Sequence, residues 1–216
     1  VRHDVDRLPG NALKLASIEN KFCIKSTYYF RKSTFSENIV TQIKDLGHEI
    51  GYHYEVLAMN KGDESKAIIE FQHTLSNFRR VCPIKTICMH GSPLSPWKDS
   101  DLWKRYDFND YGIVGEAFLS IDFDKVFYYT DTGRSWNGDK FNVRDAVNTT
   151  LKKPVVNSTD ELISTIKVLE LDVCLTVHPD RWHDSLILWS HQLVFQNAKN
   201  LGKILIRKIY DKKKPN

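Results

Sequence analysis

The chain is 216 residues long, carries a net charge of +4 and is 41% hydrophobic and 12% aromatic, enough for one domain with a sizeable core. No apolar run approaches the ~20 residues that a membrane-spanning helix needs. Five basic residues (Arg207, Lys208, Lys212, Lys213, Lys214) crowd into the last ten positions; with no basic stripe interleaved with aromatics, they read as a solvated tail rather than a nucleic-acid surface.

Strand-like and helix-like segments alternate along the chain. Val1 to Asp6 opens on a strand with no cap or turn before it, so further sequence is expected upstream; no signal-peptide pattern is visible. Pro9–Lys21 carries Ala12, Leu13 and Ala16 at helical spacing behind a proline suited to a first turn. β-Branched and aromatic residues predict a strand over Cys23–Phe30. Ser36 is the N-cap of a helix with Ile39, Val40 and Ile43 inward and Gly47 at its end. Glu49–Tyr54 is the next strand. Asp63–Arg80 is an amphipathic helix with Ile68, Phe71, Leu75 and Phe78 on one stripe, and Ile84–Met89 is again a strand. Gly91–Trp97 is a loop and Asp99–Tyr106 a short helix. Val126–Thr130 is a strand, followed by the polar segment Asp131–Trp136. Helix Thr159–Leu169, strand Val173–Val177 and a closing helix from Ser185 to Leu201 or beyond complete the pattern. Repeated β-then-α order implies parallel strands joined by right-handed crossovers. Without an internal repeat, low-complexity tract or linker, the expectation is one α/β domain over 1–216. Cys23, Cys82, Cys88 and Cys174 form no CxxC pair and lie within or beside apolar strands. They are expected to be buried free thiols, neither disulfides nor zinc-finger ligands, which leans the chain towards a reducing, cytoplasmic compartment.

Four of the strand ends carry chemistry: His3-Asp4-Val5-Asp6, Tyr52-His53-Tyr54-Glu55, Met89-His90-Gly91-Ser92-Pro93 and Val177-His178-Pro179-Asp180. Parallel βα barrels deliver the C-terminal ends of their strands to one face, so the recurrence points to a metal-assisted hydrolase. Side chains two apart on a strand share a face, so Asp4 and Asp6 point the same way. Two carboxylates in one cleft repel, which favours a cation between them or a shared proton. The same spacing aligns Gly51, His53 and Glu55, and imidazole and carboxylate are ordinary ligands of a zinc-class ion. For His90, which precedes a tight turn, function and turn stabilisation weigh equally. His178 is pinned between a strand and a proline. His48, beside Gly47, reads as a solvated or capping residue, and His73, His183 and His191 as surface or packing residues.

These segments resemble the polysaccharide deacetylases, the NodB-homology group of carbohydrate esterases, over most of the chain. His3-Asp4-Val5-Asp6 is similar to the family's first motif, which implies Asp4 as catalytic base and Asp6 as metal ligand. Gly47-His48-Glu49-Ile50-Gly51-Tyr52-His53 is similar to the second, the most specific match, and implies His53 as metal ligand. Met89 to Pro93 stands in place of the third motif. Asp131–Trp136 resembles the acidic-aromatic fourth. Leu175–Pro179 resembles the fifth, implying that Leu175 lines an acetyl pocket and that His178 is the general acid. The resemblance implies an irregular, TIM-like (β/α) barrel of about seven parallel strands, holding one divalent ion, zinc first, with nickel, cobalt, manganese or iron as alternatives.

The chain departs from the family twice. The second metal-binding histidine, four residues after the first, is here Leu57, and the third-motif arginine that steadies the catalytic aspartate is replaced by His90. Losing one of three protein ligands weakens a metal site severely unless another group substitutes. His90 and Glu55 are the candidates, with His90 preferred because imidazole replaces imidazole. Asp180 is placed as the carboxylate that orients His178, Asp131 as a support of the site, and Arg134 and Arg181 as partners of carboxylates. Trp97, Trp136 and Trp182 either stack on sugar rings or pack. The function expected is removal of N- or O-acetyl groups from a sugar or polysaccharide. The alternatives are a catalytically silent, carbohydrate-binding relative and a hydrolase of another amide or ester.

Overall fold

A computed structural model describes residues 1–92, 94–137 and 146–213, with 203–213 described by their backbone. Pro93, at the end of the third motif, and Lys214 lie outside the described residues, as do the side chains of Arg207, Lys208, Lys212 and Lys213. The fold is α/β, and the chain divides into two compact units: Val1–Asp122 with Val177–Asp180, and Phe123–Thr176 with the residues from Arg181 onward.

In the first unit β1 (Arg2–Val5), β2 (Thr27–Phe30), β3 (Glu49–Tyr54), β4 (Thr86–Met89) and β5 (Gly115–Glu116) pair in chain order, every pairing parallel. Between them run α1 (Pro9–Lys21), α2 (Glu37–Asp45), α3 (Val56–Met59) and α4 (Glu64–Arg79). Pro9 starts α1, where a missing N–H costs nothing. Asp63 caps α4 by accepting from the Lys66 N–H at 3.0 Å. Gly47, at φ +86°, supplies the left-handed turn after α2.

Alternation along the strands sorts the two faces. Val5, Tyr28, Phe30, Ile50, Tyr52, Tyr54, Ile87 and Met89 are buried in the core with Ala12, Ala16, Val40, Ile43, Ile68, Phe71, Leu75 and Phe78 from the helices. Each large side chain in that layer contributes about 1.5–3 kcal/mol by leaving water. The opposite face carries Arg2 and Asp4 on β1, Tyr29 on β2, Gly51 and His53 on β3 and Cys88 on β4; Asp4 is in register with Tyr29 and Tyr29 with Gly51, as His53 is with Cys88. One set of residues builds the core, and the set between them faces the chemistry.

Gly51 is small for a reason the register explains. The Tyr29 ring lies across it, with its hydroxyl donating to Thr86 Oγ1 at 3.0 Å, and a Cβ at position 51 would sit 2.3 Å from two ring carbons. Gly51→Ala is expected to cost about 1–3 kcal/mol by overpacking, read as a lowered denaturation midpoint; an unchanged midpoint would show that the ring moves freely.

In the second unit β6 (Val126–Thr130) and β7 (Asp172–Val177) pair in parallel from Val126–Asp172 to Thr130–Thr176. α5 (Thr159–Ile166) is capped by Ser158, which accepts from the Glu161 N–H at 3.1 Å, and α6 (Leu186–Lys213) follows. No helix among the described residues is long and apolar enough to cross a membrane.

Three local expectations are corrected. β2 begins at Thr27, not Cys23, because the C-terminal turn of α1 occupies Phe22 to Ile24 through hydrogen bonds back to Glu19 and Asn20, with Cys23 at φ +55°. Cys23 is accordingly exposed, while Cys82 and Cys88 are buried thiols. His48 is neither solvated nor a cap. Its ring is buried, accepts from the Ser26 N–H at 3.3 Å and donates to the Ala16 carbonyl at 3.0 Å, which ties the start of β2 to α1.

Candidate metal centre and catalytic site

Asp6, just past β1, His53 near the end of β3 and His90, just past β4, converge in the first unit. Asp6 Oδ1 lies 3.3 Å from His53 Nε2 and 3.6 Å from His90 Nε2, and ligating atoms of the three residues all fall within 4.8 Å of one another. The other nitrogen of each ring is committed. His53 Nδ1–H donates to the Cys88 carbonyl at 3.0 Å, and His90 Nδ1–H donates to Glu55 at 3.0 Å. Those bonds set both tautomers and turn the two Nε2 atoms towards Asp6.

Glu55 is itself clamped. Arg31, directly after β2, reaches its two oxygens at 2.6 and 2.7 Å and also approaches the Asp6 carbonyl at 3.4 Å. Burial acts to raise the Glu55 carboxyl, but bonds from His90 and Arg31 hold it below its ordinary value. Glu55 therefore orients His90 and is not a ligand of this set.

The Asp6 Oδ1 atom is buried, and among the described residues no donor meets it with hydrogen-bond geometry. A carboxylate oxygen and two imidazole nitrogens gathered this closely are donor types that fit a divalent ion. Burial works to raise the Asp6 carboxyl, yet pairing with His53 and the nearby His90 and His178 bring it well below its usual range. Burial also works to lower His53, while Asp4, Asp6 and the Cys88 carbonyl raise it above an ordinary histidine.

Asp4 lies deeper on the same face. An oxygen of Asp4, a nitrogen of His53 and the Cys88 sulfur also come within 4.8 Å of one another. Asp4 already has a counter-charge in Arg2, whose Nε lies 3.1 Å from Oδ1 and whose terminal nitrogen donates to Oδ2 at 3.1 Å, and its second partner is a thiol and not an imidazole, so the Asp6–His53–His90 set fits a zinc-class cation better. His178 comes to 4.0 Å from the other Asp6 oxygen, and Asp180 is held by Arg7 at 2.6 Å.

Leu57, where the resemblance places a second histidine, sits in α3 and packs into the hydrophobic core. Its N–H and that of Ala58 donate to Asp99 Oδ1 at 2.8 and 3.0 Å. Burial raises the Asp99 carboxyl from 3.8 to about 6, against the two backbone donors and His90, with Glu55 adding to the rise. A raised folded-state value means that the Asp99 contribution to stability is full below about pH 4 and is lost as pH rises through 6. Asp99→Asn keeps an acceptor for both N–H groups and cannot ionise. Its stability relative to wild type is expected to improve by on the order of 2–3 kcal/mol between pH 4 and pH 7, read by urea denaturation at both pH values; a pH-independent difference would contradict the raised value.

The remaining candidates belong to the second unit. Arg181 donates to the Asp131 carbonyl and to its Oδ1, both at 2.6 Å, and Trp182 Nε1–H donates to Asp131 Oδ2 at 3.0 Å. Arg134 donates to the Arg181 carbonyl at 2.8 Å and lies over the Trp189 ring at 5.1 Å. These residues, with Trp136, line a cavity of about 200 Å³. Trp136 is buried and donates to Thr159 at 3.1 Å. Leu175 lies opposite Tyr129 on the strand pair. Trp97 packs over Gly62 in the first unit.

Comparison of the coordinates with solved structures places this architecture. A wild-type CE4 family pseudoenzyme from Bacillus anthracis aligns over 94% of this chain at 11% identity and a TM-score of 0.50. A mutant of it with restored enzymatic activity aligns over 94% at 12% identity, also at 0.50. The fold is that of the CE4 carbohydrate esterases. The chain spans about three-fifths of the length of those two proteins, 59% and 61%. A family 4 carbohydrate esterase from Streptomyces lividans in complex with acetate aligns over 93% of this chain and 85% of its own at 13% identity, with a TM-score of 0.48. No family model matches the sequence, and no curated protein does. The fold matches the irregular α/β architecture implied by the motifs, the polysaccharide deacetylase type.

Three contributors around the site were not anticipated: Arg2, Arg31 and Asp99. Arg2 was within reach of the alternation argument, since it precedes Asp4 by the same two residues that separate Asp4 from Asp6. Arg31 and Asp99 carry no such signal, because each acts across strands or loops distant in sequence.

Proposed function

We propose that the chain is a metal-dependent hydrolase that removes N- or O-acetyl groups from a sugar or polysaccharide. The observation that carries this reading is the orphaned Asp6 Oδ1 facing two imidazoles whose other nitrogens are locked away. Asp6, His53 and His90 would hold the ion. Bound there, a divalent ion, zinc first and nickel, cobalt, manganese or iron otherwise, supplies a Lewis acid for the acetyl carbonyl and the attacking water. Asp4, on the same face two residues before Asp6, takes the proton of that water. His178, on the far side of Asp6, gives a proton to the departing amine or alcohol. Glu55 and Arg31 keep His90 turned inward, as outer partners of ligating histidines do. Asp180, held by Arg7, is assigned to support within the same unit.

A second reading is a silent, carbohydrate-binding domain. Leu57 in place of a ligand favours it, and so does the likeness to a pseudoenzyme. An acetate-release screen over N- and O-acetylated sugars, simple amides and simple esters, with and without a chelator, separates the readings. Release from a sugar that stops on chelation is the expected result. Sugar binding without release would establish the silent domain, and release from amides or esters alone would move the substrate class.

A further inference from the structure

We infer that Arg2 is the positioning residue of the catalytic base: it holds Asp4 in the orientation that proton abstraction needs and keeps it out of the cation set. The inference rests on the deacetylase reading and deepens it. In the resembled family that task falls to a third-motif arginine, whose place here belongs to His90.

The geometry supports a holding role in four ways. Arg2 and Asp4 are two residues apart on β1 and so share a face. One hydrogen bond, from a terminal nitrogen to Oδ2 at 3.1 Å, and a charge approach of Nε to Oδ1 at 3.1 Å hold the carboxylate against the guanidinium. Both side chains are 6% exposed, so little water screens the pair. The Phe118 ring lies 4.6 Å from the guanidinium carbon and covers the cation. What Arg2 prevents is equally visible. An Asp4 oxygen is within 4.8 Å of the His53 and Cys88 ligating atoms. A carboxylate released there could swing towards an ion held by His53 and cease to be a base.

Arg2→Met and Arg2→Lys test this in the metal-loaded protein, with acetate release and zinc affinity measured on each. Arg2→Met is expected to lower kcat by about 10–100-fold while KM stays within about threefold, with zinc bound no more weakly than in wild type. Arg2→Lys, which keeps the charge but not the fork, is expected to recover part of kcat. A readout independent of activity comes from a cycle with Asp4→Asn. Arg2→Met strands a buried carboxylate and Asp4→Asn a buried cation, so the double variant should unfold at higher denaturant than either single one. Wild-type kcat in Arg2→Met, or a parallel loss of kcat, KM and zinc, would overturn the positioning role while leaving the deacetylase reading in place. If Arg2→Met does not fold, wild-type kcat in Arg2→Lys would count against the fork. Acetate release by no form, with the stability cycle still coupled, would reduce Arg2–Asp4 to a structural ion pair and fell the deacetylase reading instead.

Discussion

Asp4→Asn is expected to abolish acetate release, by about 10²–10⁴-fold in kcat, with the denaturation profile and zinc content of a folded protein. The amide keeps the shape of the carboxylate and an oxygen for Arg2 but cannot accept the proton of water. Asp4 has no place in the Asp6–His53–His90 set, so the ion should remain. Stability should fall modestly, because Arg2 loses its counter-charge in a buried pair. Full activity in Asp4→Asn would remove the base from the proposal and leave the ion's ligand set standing.

The second large effect is expected on the metal itself. Protein purified without a metal-affinity tag should carry close to one equivalent of a divalent ion, and His53→Ala and His90→Ala should each lose it. His90→Ala decides what completes the set. If it binds zinc as tightly as wild type, the third group is elsewhere, with Glu55 the next candidate, since loss of His90 would free that carboxylate to turn inward. Affinity should also fall as the solution is acidified. Asp4 and Asp6 raise His53 above an ordinary histidine, so a proton competes with the ion for Nε2 up to a higher pH than at an unperturbed imidazole. Zinc titrations are expected to show weaker binding at pH 6 than at pH 8; equal affinities at the two values would show that no imidazole proton competes with the ion.

Much of this arrangement could be anticipated because a strand alternates strictly. Asp4 and Asp6 on one strand, and Gly51 and His53 on another, share a face whatever the rest of the chain does. The same rule sent Tyr28, Phe30, Ile50 and Tyr52 into the core opposite them. α1 and α4 were legible from local signals: a proline in the first turn of one, an aspartate cap and an apolar stripe in the other. β2 was overextended because Cys23 to Ser26 has strand-like composition, while the hydrogen bonds that close α1 claim its first residues. His48 was misjudged because a turn position beside Gly47 says nothing of the helix packed against it.

Which side chains reach the strand ends followed from the residues alone, since backbone periodicity acts over two or three residues. Only the tertiary structure decided which of those groups meet. His90 and Asp6 are 84 positions apart in the chain, and their 3.6 Å approach depends on the strand order and on the rotamer that Glu55 and Arg31 impose on the imidazole. The same holds for Arg2. Its spacing from Asp4 was visible, but a pair of buried charges needs the surrounding sheet face and the Phe118 ring to exclude water, and that is a property of packing.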